Sequence, residues 1–370
     1  MKILVTGGAG FVGSFIVDEL LKKGHQVTIL DNIEPQVHPE GKKPGYLNPL
    51  ATLITGDVND ANLLNLAVAD ADVIFHKAAM VGVGQSMYQI ARYTKANVMG
   101  TATLLDLLAN TKHSVKKVIV ASSMSTYGEG AYLNTSGERV RPALRGEGQM
   151  QRGEWELRDE KTGGELTPVG MTEEDVQYCN SVYAITKKSQ EEMVMNVCGA
   201  YGINATAFRY FNIYGPRQSL SNPYTGVAAI FMSRIKNDAP PLVFEDGLQS
   251  RDFISVHDIV QANMLAMESK SAEGEIFNVG TGRQTTIKKV AEVLADLYGK
   301  DIQPDIVGKF RKGDVRHCFA DISKIKRKLG FEPPVRFADG MKELTAWAQG
   351  ETAKDGVDGA VEELKQKKLI

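Results

Sequence analysis

The sequence is short of the features that mark several protein classes. Three cysteines in 370 residues, Cys179, Cys198 and Cys318, are too few for a disulfide framework and fit a reducing compartment. No apolar run approaches the ~18 residues of a membrane-spanning helix, so no membrane segment is expected. The opening MKILVTGG lacks the layout of a secretory signal, because its short apolar run ends in glycine. Lys and Arg number 43 against 45 Asp and Glu, so no basic excess exists to drive nucleic-acid binding. These absences point to a cytoplasmic protein. What the chain has is 43% hydrophobic and 24% charged residues, a balance that excludes wholesale disorder. At about 150 residues per domain, its length suggests about two domains or one large α/β unit.

Short apolar runs at Lys2–Thr6, Gln26–Leu30, Thr52–Thr55, Val73–His76 and Lys117–Ala121 read as strands. Helical periodicity fills 11–23, 60–70 and 87–109 between them. This alternation predicts a doubly wound α/β fold of the Rossmann type, with a parallel sheet and right-handed crossovers. Residues 129–178 break the rhythm with charge, Gly and Pro, and read as an insertion in a first domain of 1–211. From 212 to 350 the elements are shorter and mixed, as in a smaller α/β substrate lobe that sends some segments back to the first domain. The charged end, 351–370, reads as a loosely held helix.

Gly7, Gly8, Gly10 and Gly13 lie in TGGAGFVG, after the first strand and at the opening of the first helix. Early glycines permit the tight turn and backbone approach to a pyrophosphate, and Gly13 permits close helix–sheet packing. Gly7, Gly10, Phe11, Val12 and Gly13 are therefore the expected dinucleotide contacts. Asp31, with Asn32 beside it, ends the second strand near the spacing of an acid that binds the ribose hydroxyls. A carboxylate there repels a 2′-phosphate and favours NAD over NADP. Asp57 and Val58 follow the third strand, near the adenine; Ala78 and Ala79 follow the fourth, where small side chains let the cofactor approach. Asn97 is a further cofactor candidate.

The fifth strand runs into Ser122 and Ser123, and Tyr183 and Lys187 stand at an i, i+4 helical spacing. A phenol of pKa about 10 is a poor base at neutral pH. A neighbouring ammonium and an oxidised nicotinamide are expected to lower it. Ser123, Tyr183 and Lys187 thus form a proton-transfer set beside a hydride carrier. His38, His76, His113 and His257 share no metal-ligand spacing and are read as structural, so no metal site is expected.

TGGAGFVG, Asp31, GDV at 56–58, HKAA at 76–79, NVMGT at 97–101, ASSMSTYG, YAITK, RYFNIYGPRQ at 209–218, RDFISVHD at 251–258, FNVGTG at 277–282 and GDVRHCFADISK at 313–324 occur together. On these motifs the chain resembles the extended short-chain dehydrogenases/reductases of the nucleotide-sugar epimerase/dehydratase family, from residue 1 to about 348. The resemblance implies that Asn212 and Arg251 hold the substrate diphosphate with help from Arg316. Arg217 is a further candidate, and Asp314 either orients Arg316 or caps a turn. Arg pairs bidentately with phosphate, which suits these roles. Tyr210 is placed beside the nicotinamide. Ser86 either touches the sugar or caps the following helix. The resemblance also implies a homodimer through helices 87–109 and 181–200.

A 4-epimerase needs the tyrosine, bound NAD and room for a keto sugar to turn over. A 4,6-dehydratase needs an Asp-Glu pair where Met124 and Ser125 stand here. A ketoreductase that uses NADPH conflicts with Asp31, and an NAD-sensing scaffold would not need both Tyr183 and Lys187. PQVH at 35–38, the long insertion and RQSLSNPYTGVAAIF at 217–231 resemble the branch that interconverts dTDP-L-rhamnose and dTDP-6-deoxy-L-talose. UDP-glucose, UDP-galactose or their uronic acids are the alternative substrates. Members of that branch carry insertion cysteines in a metal knuckle; here Asn134, Asp159 and Thr162 occupy those places, so no structural zinc is expected.

Overall fold

All five apolar runs of the first half become parallel strands, and two later segments extend the sheet. The computed structural model describes residues 1–370. The strands are β1 (Lys2–Thr6), β2 (Gln26–Asp31), β3 (Thr52–Thr55), β4 (Val73–His76), β5 (Lys117–Ser123), β6 (Asn204–Tyr210) and β7 (Glu275–Val279). Their order is β7-β6-β5-β4-β1-β2-β3, parallel throughout. Helices cover both faces, which is why β4, VIFH, is buried along its whole length. The register sets Thr6 beside His76 and Ser123 beside Tyr210.

α1 (Phe11–Lys22) packs on one face; α2 (Ala61–Val68), α3 (Gly100–Asn110) and α4 (Val182–Ala200) pack on the other. After α5 (Val227–Lys236), α6 (Val256–Glu268) returns beside α1. Ile3, Val5, Ile16, Leu20, Ile259 and Phe277 fill the first interface, and Leu4, Ile74, Leu104, Val118 and Val194 the second. Each such side chain contributes roughly 1.5–3 kcal/mol on burial. The single helix expected over 87–109 is instead Ile90–Tyr93, a π-helical turn Thr94–Met99, and α3. The wider turn brings Asn97 fully inside.

The second lobe gathers α5, α7 (Ile287–Tyr298) and α8 (Phe337–Gln349) around Tyr214, Phe231, Leu294 and Leu344. Short strand pairs join it to the sheet side, among them Asn212–Tyr214 with Phe253–Ser255.

The insertion is a folded unit. Ala131–Leu133 pairs with Arg139–Val140 and Thr167–Val169 in a small antiparallel sheet over Tyr132, Leu157 and Leu166. Asn134 and Asp159 close tight turns, each accepting two backbone N–H groups, and Thr162 Oγ1 accepts the Gly164 N–H. Buried ionic contacts fasten the unit to the second lobe. Glu129 accepts N–H bonds from Gly130, Arg316 and His317 and the Tyr132 hydroxyl. Arg145 forks onto Glu245 at 2.8 Å through both terminal nitrogens.

The chain's end corrects the expectation of a loosely held helix. α9 (Val357–Gln366) buries Val357, Ala360 and Leu364, an apolar stripe at helical spacing.

Candidate active site

The glycine loop is tight enough to forbid side chains. Gly7 has φ +70°, and a Cβ there would lie 2.7 Å from Ala78 N; one on Gly13 would lie 2.1 Å from Gly7 O. Gly10 caps α1 without a side-chain bond, so no side chain competes for the N–H groups of Phe11 and Val12. Asp31 is positioned beside this loop: its carboxylate accepts N–H from Ala9 and Ile33, each at 2.9 Å. Asn32 and Asp57 are exposed, Val58 is buried, and Ala78 and Ala79 are half-buried along the same rim.

Ser181 caps α4 by accepting the Ala184 N–H, which fixes Tyr183 in the first turn. The Tyr183 N–H is held by Ser86 Oγ at 3.0 Å, and Ser86 donates to Val83 O. Ser86 therefore positions Tyr183, its hydroxyl proton being given to Val83. The Tyr183 phenol is buried on the helix that packs on the strand ending at Ser123. Burial raises the phenol above its ordinary value, and Ser123 draws part of that back. Desolvation dominates at the phenol, and the Lys187 amine turns to Gln190 Oε1 at 2.7 Å. Burial lowers Lys187 itself to about 7, with Glu191 opposing. His76 spends its nitrogens on Thr6 and Thr101 and is held neutral by burial, its pKa about 3.

Two expected cofactor contacts are spent elsewhere. The Asn97 amide bonds Met80 N, Met80 O and Thr186 Oγ1, so it braces the loop after β4 against α4 and both its donors are spent there. The Tyr210 ring stacks on Phe208, and its hydroxyl meets Asn263 and Lys77, so only its strand-end backbone stands beside Ser123. Lys77, which the motif reading passed over, is a buried amine without a carboxylate; burial and Lys187 both lower its pKa.

The arginines divide. Arg251 is anchored by Ser250, Val315 and Arg316 carbonyls and by Asp314 Oδ1. Arg311, missed in the sequence, reaches the other Asp314 oxygen at 2.8 Å and lies over Phe244. Against its burial, Arg311 and Arg251 hold Asp314 below the usual carboxylate range. Asp314 therefore orients Arg251 and Arg311, and not Arg316. Arg316 is 0% exposed and enclosed by Glu156, Glu245 and Asp246, which corrects its expected phosphate role: three carboxylates leave no site for an anion. Arg217 is drawn off as well, pairing with Asp18 at 2.7 Å and lying over Phe15 and Tyr46. Asn212 Oδ1 and Ser122 Oγ are buried without protein partners, Ser122 near the carboxyl end of β5 and Asn212 just past that of β6, where open α/β sheets bind ligands.

Comparison with known proteins decides the family. Residues 3–143 match the NAD dependent epimerase/dehydratase family and residues 162–344 match GDP-mannose 4,6 dehydratase. A dTDP-L-rhamnose 4-epimerase of Burkholderia thailandensis is 34% identical over 94% of both chains. This chain belongs to the NAD-dependent nucleotide-sugar epimerases of the extended short-chain dehydrogenase/reductase family. A UDP-glucose 4-epimerase of Halalkalibacterium halodurans is 30% identical over 94% of this chain and 95% of its own. The structure of UDP-glucose 4-epimerase from Thermotoga maritima with UDP-glucose is 32% identical, with TM-score 0.75 over 94% of this chain and 99% of that one. That of UDP-glucuronic acid 4-epimerase from Bacillus cereus with UDP-glucuronic acid and NAD is 28% identical, with TM-score 0.76 and the same coverage. The protein is an enzyme, an isomerase, and its cofactor is NAD. The residues present fit that group: the glycine turn excludes side chains, the α1 N-terminus is uncapped by any side chain, and the Asp31 carboxylate is held beside that turn by the Ala9 N–H. No helix is long and apolar enough to cross a membrane.

Proposed function

We propose that this epimerase interconverts dTDP-L-rhamnose and dTDP-6-deoxy-L-talose through a transient 4-keto sugar. The observation that carries the reaction is that Tyr183 and Lys187, buried one helical turn apart on α4, belong to the helix packed on β5, whose end carries the buried Ser123. Bound NAD supplies the hydride acceptor. Tyr183, as phenolate, takes the proton of the C4 hydroxyl, and Ser123 holds that oxygen in line. Lys187, lowered by burial to about 7, lies one turn away on the same helix and donates to Gln190. Gly7, Gly10, Gly13 and Asp31 hold the dinucleotide, and Asn212 and Arg251, with Arg311, hold the substrate diphosphate. Ser125 donates to Ser123 and Met124 packs against the cluster around Tyr127 and Phe211, so neither offers the acid or base of a dehydratase.

The sugar assignment is supported by the Burkholderia relative and by the folded insertion beside the second lobe. A second reading, epimerisation of UDP-glucose or a UDP-uronate, is favoured by the Thermotoga and Bacillus structures. Incubation of the purified protein with dTDP-L-rhamnose and with UDP-glucose separates the two: inversion at C4 of the UDP sugar alone overturns the rhamnose assignment. The three free thiols suit a cytoplasmic enzyme. A homodimer is proposed through the faces carrying Ile90, Met99 and Ile185, which are exposed on the helices flanking Tyr183.

A further inference from the structure

The last twenty residues cross from one lobe to the other beside the segment that carries Gly82 and Gly84 and packs on Tyr183. On the first domain, Leu364 lies 3.4 Å from the position of a Cβ on Gly84, in the short helix Val83–Ser86 whose Ser86 fixes Tyr183. On the second lobe, Glu363 accepts the Tyr224 hydroxyl at 2.6 Å, and Asp358 pairs with Arg234. Tyr88, from the first domain, donates to the Tyr224 oxygen at 2.8 Å, and Lys367 stands over its ring. Leu369 O receives the N–H of Lys312, the residue after Arg311. Tyr224 Cβ lies 3.2 Å, and Tyr93 Oη 2.6 Å, from where a Gly82 Cβ would stand, which places the tyrosine pair against the Tyr183 cluster.

We propose that residues 351–370 form the outer wall of the sugar pocket, and that Glu363, acting through Tyr224 and Tyr88, is a positioning residue that retains the keto sugar while it turns. The inference rests on the 4-epimerase reading. At the keto stage the C4–H bond has broken, its hydride has gone to NAD, and the hydroxyl proton has gone to Tyr183. Nothing covalent then holds the ketone. If it escapes before the hydride returns, the enzyme is left carrying NADH and an extra proton. A wall bonded to both lobes prevents that loss, whereas a solely stabilising helix would not affect it.

The test compares the native chain, a chain ending at Gly350 and the full-length Glu363→Gln variant. Each is supplied with dTDP-L-rhamnose or UDP-glucose and followed by the near-ultraviolet absorbance of bound NADH. Both altered chains are expected to accumulate NADH progressively. KM in Glu363→Gln rises about tenfold, the effect of weakening one charge-assisted hydrogen bond. Unchanged KM with no NADH build-up in both overturns the proposal. If the shortened chain does not fold, Glu363→Gln and Tyr224→Phe decide by the same readouts. If the native chain inverts neither sugar, the substrate reading fails by itself. Hydrogen exchange at 82–88 then tests the strap alone: faster exchange in the shortened chain supports it, and equal exchange overturns it.

Discussion

Tyr183 and Lys187 are both buried, and burial acts on them in opposite directions. It raises the phenol and lowers the amine, so the pair is brought closer in proton affinity than either is in water. Tyr183→Phe removes the proton acceptor and leaves the dinucleotide cradle intact. Turnover is expected to fall about 10²–10⁴-fold, while NAD released on denaturation stays at the native amount. Lys187 also shapes stability. Its folded value is about 7 against an ordinary 10.5, so the unfolded chain binds more protons between those values and stability rises with pH across that window. Lys187→Met abolishes this dependence. Its melting temperature relative to the native chain should be higher at pH 6 than at pH 9, and an equal difference at both would refute the buried amine. The types and spacing of these residues were legible in the sequence; their titration was not, because desolvation depends on what surrounds them. Arg316 shows the same limit: its partners Asp246 and Glu156 lie 70 and 160 positions away, and no local pattern records them.

Among the elements, the strands were readable because strands of a parallel sheet covered by helices on both faces are short apolar runs. The helix at 87–109 was read as one because a single widened turn hardly disturbs apolar periodicity, yet it directs Asn97 inward. The insertion's strands span two or three residues, too few to show any period. Two predictions belong at this scale. Gly13→Ala puts a methyl 2.1 Å from Gly7 O, so α1 must move off the loop. It should lower stability by about 1–3 kcal/mol and lower NAD content, both measurable by thermal melting and cofactor release. Glu245→Ala takes from Arg145 its only carboxylate and from Arg316 one of three. A buried cation left unpaired costs about 3–5 kcal/mol, so the urea midpoint should drop while secondary structure persists. Glu245 has φ +55°, a strained backbone that the two arginines hold in place.

For the whole molecule, Ile90, Met99 and Ile185 are exposed on the helical segments 90–93, 94–99 and 182–200. Self-association there would add a wall behind the catalytic helix. Light scattering is expected to report twice the 40.4 kDa chain mass, and a monomer would remove the proposed interface. Ile185→Asp should shift the population toward monomer.

The carboxylate of Glu129 joins the start of the insertion to backbone N–H groups 187 and 188 positions further on. At ribosomal speeds of about 5–20 residues per second, roughly 10–40 s separate the emergence of the two ends. For that interval the nascent insertion has an acidic anchor and nothing to fasten it to. The Rossmann strands up to β6 can pair meanwhile, so the nucleotide half takes shape first and the carbohydrate half is locked only as synthesis nears its close.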